Sequence, residues 1–110
     1  MQKQYKIYLE DILEATEKIE NYVKGFLYEE YAKNSLVVDA VIRNLGIIGE
    51  AVKKIPLEVK KKYAEIEWKK IAGLRDIIVH EYSGVNLKII WDIIEHKLPE
   101  LKKSIKNMLE

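Results

Sequence analysis

The sequence of 110 residues contains no cysteine. That absence excludes a disulfide framework and a cysteine-based zinc site, and it fits a reducing cytoplasm, the expected location. No apolar run approaches the ~20 residues that a membrane span requires. The opening, MQKQYKIYLEDILEATEKIE, alternates charged with apolar positions, unlike a secretory signal. There is no glycine-rich phosphate loop, no strand-type alternation, no internal repeat and no low-complexity linker. Proline occurs twice, at Pro56 and Pro99. The net charge is only +1, so a strongly basic nucleic-acid binder is excluded. Any nucleic-acid contact must rest on a local patch rather than on the global field. Arginine and histidine are also scarce: Arg43 and Arg75 stand against 17 lysines, and the histidines are His80 and His96.

What remains is a globular composition, 34% charged and 48% hydrophobic. The length suits one domain over residues 1–110, enough to bury a core without disulfides or metals. Richness in Ile, Lys and Glu without Cys suits a hot environment.

The apolar pattern is helical throughout. Tyr5, Tyr8, Leu9, Ile12, Thr16, Ile19, Val23 and Phe26 recur at three- and four-residue steps and predict a first helix over about 3–25, with Gly25 near its end. Residues 27–34 read as a helical turn or a loop. Asn34 or Ser35 caps a second helix carrying Val38, Val41, Leu45, Ile48 and Val52. Gly46 and Gly49 inside it cost about 1 kcal/mol each relative to alanine, which points to close helix packing. Pro56 ends that helix or opens a short one. A third helix is expected over about 67–81, with Ile71, Leu74, Ile77 and Ile78 inward, broken by Ser83-Gly84. Asn86 caps a fourth, with Ile89, Ile90, Ile93 and Ile94, broken or kinked near Pro99. The tail from Glu100 to Met108 is amphipathic. The expected architecture is all-α: an antiparallel bundle of four long helices with short extra ones.

The third helix carries RDIIVHEY, residues 75–82. Arg75 supplies a planar, permanent charge that matches a phosphate. His80 is the side-chain type that transfers protons near neutral pH. Asp76 precedes His80 by one turn and suits a carboxylate that fixes the imidazole tautomer. Such a set fits cleavage of an RNA phosphodiester through its own 2′-hydroxyl, for which no metal or other cofactor is required. One obstacle is angular. Five residues on a straight helix turn Arg75 and His80 about 140° apart. Wrapping of the long arginine, unwinding towards Ser83-Gly84, or a facing copy of the chain would close that gap. On spacing alone, the simpler reading is an amphipathic helix with both residues on its wet edge.

The other polar features are weaker. Asp76, His80 and Glu81 put only two ligands on one face, too few for a metal site. His96 reads as a helix-end residue without chemistry. Arg43 and Asn44 are polar in an apolar helix; a helix-to-helix hydrogen bond is the plain reading and a secondary phosphate contact the sharper one. The lysine pairs and triplet at 53–54, 60–62, 69–70 and 102–103 read as solvated faces, the first three also as a local backbone-binding patch. Tyr5, Tyr8, Tyr22, Tyr28, Tyr31 and Tyr63 read as core or groove-edge aromatics.

RDIIVHEY resembles the R-x4-H-x-Y motif of the HepT-like toxins, a branch of the HEPN superfamily. Four blocks in order carry the resemblance along nearly the whole chain: YLEDILEATEKIENYVKG, DAVIRNLGIIGEAVKKIP, the run WKKIAGLRDIIVHEY into the motif, and IIWDIIEHKLPEL after it. The resemblance implies an all-helical, usually homodimeric fold with its sites near a cleft between subunits. It implies a metal-independent ribonuclease, the toxin of a type II-like toxin–antitoxin pair. The expected partner is a minimal nucleotidyltransferase antitoxin of the MNT type that transfers AMP to the motif tyrosine, here Tyr82. Arg75 and His80 take the catalytic roles, and Asp76 fills the polar position after the arginine. A non-catalytic helical dimer that binds a nucleotidyltransferase or a nucleotide is the alternative.

Overall fold

A computed structural model of the chain describes residues 3–81 and 86–110, apart from the side chains of residue 3 and residues 76–81. The described residues are all-α, without strands. A 3₁₀ turn, Lys3–Tyr5, leads into α1, Lys6–Val23. Then come α2, Tyr28–Lys33; α3, Ser35–Lys54; α4, Leu57–Lys62; and α5, Trp68–Glu81. Helix α6, Leu87–Asp92, passes through a π-helical segment, Ile93–Lys97, into α7, Leu98–Leu109.

Local chemistry sets the boundaries. The end of α1 is a glycine end: Gly25 has φ 79°, a conformation that side chains disfavour. Glu30 reaches back to accept from the Leu27 amide at 2.8 Å and so fastens the start of α2. Asn34 Oδ1 accepts from the Val37 amide at 3.1 Å and opens α3. Asn86 does the same for α6, accepting from Lys88 and Ile89 at 2.9 and 3.2 Å. Before Pro99 the helix widens instead of stopping. The Leu98 amide donates to the Ile93 carbonyl, five residues back. A proline ring crowds the carbonyl four residues earlier, and a wider turn relieves that crowding.

The central element is α3. It packs on α1 along one side and on α5 along another, and α7 closes against α1. Leu9, Ile12 and Ile19 of α1 meet Val41, Leu45, Ile48 and Val52 of α3, all essentially buried. The expected stripe of α3 is thus the core stripe, and that of α1 holds, with Tyr8, Val23 and Phe26 half-buried at its edge. Thr16 is buried too, and its hydroxyl donates to the Ile12 carbonyl at 2.8 Å, so that hydroxyl is not left unmet. Leu98, Leu101 and Ile105 extend the core along α7. Lys102 ties α7 to α1 through Glu20 at 2.7 Å. Of the isoleucines of α6, Ile90 is buried while Ile89 is 58% exposed.

Tyr28, Tyr31 and Trp91 form an aromatic cluster that anchors α2 to α6, the Tyr31 and Trp91 ring centroids lying 4.8 Å apart. Burial, with Tyr28 adding to it, pushes the Tyr31 hydroxyl up to about 12. Trp68 fixes the start of α5; it is buried, and its indole N–H donates to the Tyr63 carbonyl at 3.0 Å.

Among the described residues, Gly49 but not Gly46 is a point of close packing in α3. A Cβ on Gly49 would lie 2.8 Å from the Arg75 Cβ and 2.9 Å from the Arg75 amide nitrogen. A Cβ on Gly46 would have nothing of the described residues within 4 Å. Gly49→Ala therefore has to push α3 and α5 apart, and it is expected to destabilise the fold by about 1–3 kcal/mol. Gly46→Ala is expected to be neutral or to stabilise by up to about 1 kcal/mol through helix propensity. Urea unfolding of the two variants checks the contrast; equal stability would refute the close contact.

Candidate active site

Arg75 leaves α5 at the Gly49 contact, so the root of its side chain rests on the α3 backbone. From there the side chain turns along α3. Its Nε lies 3.1 Å from Glu50 Oε2, with the arginine side chain 39% and the glutamate 47% exposed. The guanidinium held there is part-exposed to solvent. The ion pair is too exposed to hold the fold together, but it fixes a direction.

Asp76 and His80 lie on α5, and their side chains fall outside the described residues, as does Tyr82 altogether. The inward positions expected at Ile71 and Leu74 are half-buried; those at Ile77 and Ile78 fall outside the described side chains. Arg43 is exposed on α3. Its neighbour Asn44 is 3% exposed, and its amide donates to the Ala40 carbonyl at 2.9 Å. Asn44 therefore bonds within its own helix, not to another one, and of the two residues only Arg43 meets solvent.

The surface charges sort themselves similarly. Lys70 pairs with Glu67 at 2.9 Å, and Lys97 approaches the same glutamate at 3.6 Å. Hydrogen bonding and the charge of Lys70, with Lys97 adding to it, hold Glu67 below the usual carboxylate range. Of the lysines in the expected backbone-binding patch, Lys70 thus has a carboxylate partner. Lys54 instead lies over the Tyr8 ring at 5.6 Å.

Two further features do not include Arg75. A cleft of about 280 Å³ has an apolar floor that includes Ile48, Ile71, Leu74 and Leu101, and a rim with Glu67, Lys70 and Glu100. Arg75 is not among its walls. Asp92, Glu95 and His96 bring one ligand atom each to within 4.8 Å of the others, all on exposed side chains. Asp92 also pairs with Lys88 at 3.5 Å, so this is a solvated edge of the helix. The residue that sequence reasoning missed is Glu50. Its one local signal is the glycine before it in α3, which marks where a neighbour comes close but not which one.

Comparison with known proteins places this arrangement. The family model described as "Ribonuclease HepT-like" matches residues 12–108. A protein of Caldanaerobacter subterraneus subsp. tengcongensis named "Putative RNase TTE0752" is 46% identical over 103 residues, 94% of this chain and 92% of its own. The Thermococcus cleftensis protein named "Probable ribonuclease HepT" is 40% identical over 102 residues, 93% of each chain. A Methanocaldococcus jannaschii protein named "Gamma-glutamylcyclotransferase and putative RNase MJ0434" is 42% identical over the full 110 residues, which span 50% of its length. No solved structure matches the chain. The helical architecture, the R-x4-H-x-Y residues and these relatives agree: the chain belongs to the HepT-like ribonuclease family of the HEPN superfamily.

Proposed function

We propose that this protein is a metal-independent endoribonuclease and the toxin of a toxin–antitoxin pair. The observation that carries the reading is the placement of Arg75. Its guanidinium is half-exposed beside α3 and stands on the same helix as His80. Family membership supports ribonuclease chemistry, and the names of the relatives support RNA as the substrate class.

In this reading His80 takes the 2′-hydroxyl proton, and the freed oxygen attacks the adjacent phosphorus. The bond to the 5′-oxygen breaks, and that oxygen leaves with a proton returned by an imidazolium. Asp76 holds the imidazole in the required tautomer. Arg75 binds the non-bridging oxygens, where negative charge builds up. The products are a 2′,3′-cyclic phosphate and a 5′-hydroxyl. Arg43 is a secondary phosphate contact.

The protein acts as a homodimer, because the helix geometry turns Arg75 and His80 apart and a second copy brings the missing side of the site. The face of α3 beside Arg75 supports this. Leu36 is 80% and Ile47 36% exposed. With Arg43 and Glu50 they lie on one helical stripe. An MNT-type nucleotidyltransferase is the antitoxin. It transfers AMP from a nucleoside triphosphate to the Tyr82 hydroxyl: the phenol oxygen bonds to the α-phosphorus, pyrophosphate leaves, and the phenol proton passes to solvent. The anionic adduct then competes with RNA for Arg75.

Three measurements test this reading. First, cleavage of RNA should persist in chelator, spare DNA and leave cyclic phosphate ends. Arg75→Lys should lose about a hundredfold or more in rate, because a lysine lacks the fork, and His80→Ala should lose about as much. Full activity in either variant would refute the assigned role. Second, light scattering at micromolar concentration should give a dimer; a fully active monomer would overturn the paired site. Third, intact mass after co-expression with the active nucleotidyltransferase should rise by one AMP unit at Tyr82, and cleavage should cease. Tyr82→Phe should escape the modification. A neutralised complex with unmodified Tyr82 would mean that inhibition works by binding alone.

A further inference from the structure

The geometry points to a second residue behind Arg75: Glu50 acts as the positioning residue that aims the guanidinium. The inference rests on Arg75 being the phosphate-binding group.

An arginine side chain has four rotatable bonds, and on a half-exposed site it loses considerable freedom when it adopts one direction. Two consecutive residues of α3 restrict Arg75 from both ends. Gly49 receives the root, since the Arg75 Cβ and amide nitrogen sit where a Gly49 side chain would begin. Glu50 receives the head, with Oε2 at 3.1 Å from Nε. Because both restraints come from one turn of one helix, they move together, and the guanidinium is referenced to the α3 backbone rather than to solvent. The atom used also matters. Nε is the inner nitrogen of the fork. A phosphate gripped end-on would use the two terminal nitrogens, which the 3.1 Å contact to Glu50 does not involve.

A carboxylate beside an arginine invites a competing account, in which Glu50 is a latch that RNA must displace. The two accounts differ in sign. Under positioning, Glu50→Ala slows cleavage, and Glu50→Gln, which keeps an acceptor oxygen at the same reach, restores most of the rate. Under a latch, removing the carboxylate speeds cleavage or tightens RNA binding.

The scarcity of arginine makes a direct measurement possible. The side-chain Nε–H spectrum of the chain contains one signal each from Arg43 and Arg75. Arg43 is exposed and serves as the internal reference. In the full-length protein, Arg75 Nε–H should exchange with water several-fold more slowly than Arg43 Nε–H. Glu50→Ala should bring the two rates together, leave Arg43 unchanged and keep a melting temperature close to that of the unaltered chain. Glu50→Gln should keep the protection. In cleavage assays Glu50→Ala should lower kcat about tenfold or more with KM changed little, and Glu50→Gln should recover most of kcat. Unchanged Arg75 exchange in Glu50→Ala, faster cleavage in either variant, or a Gln variant as impaired as the Ala variant would each overturn the inference. If the unaltered chain cleaved no RNA at all, the ribonuclease reading would fall, and the exchange rates would still decide whether Glu50 aims Arg75.

Discussion

Helices α3 and α5 touch where Gly49 has no side chain, and the surroundings of Arg75 depend on that contact. Any larger residue would hold α5 away from α3 and carry the arginine with it. A glycine in a helix interior costs backbone entropy, and in α3 that cost is offset by an approach no other residue allows. Gly46, three residues earlier, meets no such neighbour among the described residues, so the two glycines are not explained together as flexibility. The contact joins structure to proposed chemistry: it sets the separation of two helices and the origin of the guanidinium assigned to the reacting phosphate.

Much of this fold was legible because its causes are local. The stripe of Val38, Val41, Leu45, Ile48 and Val52 follows from helical period alone, and each residue is buried. Asn34 and Asn86 cap helices by bonding to amides two or three residues away. Gly25 ends α1 by its own backbone angle. None of these needs knowledge of a distant neighbour.

The rest required the phase between helices. Glu50 and Arg75 are far apart in sequence, and nothing in either segment names the other. Asn44 was read as a residue that reaches out of its helix. The structure turns it inward, where its amide bonds to Ala40 of the same helix, a satisfaction that a sequence pattern cannot separate from a bond between helices. Ile89 belongs to an apolar run, and yet the packing leaves it in solvent while Ile90 takes the core position. Pro99 announced an interruption, but whether a helix breaks, bends or widens before a proline depends on what packs around it. Here α6 and α7 stay joined by a π-helical segment, so the C-terminal run still lies along the core.

The two tryptophans divide the molecule for optical purposes. Trp68 sits buried at the root of α5, the helix that carries Arg75, and Trp91 sits buried against Tyr31, far along the chain at the junction of α2 and α6. Indole emission shifts to the red when water reaches the ring, so each tryptophan reports the opening of its own neighbourhood. A chain with only one of the two indoles replaced by phenylalanine would therefore separate a local loosening of α5 from the cooperative melting of the whole bundle.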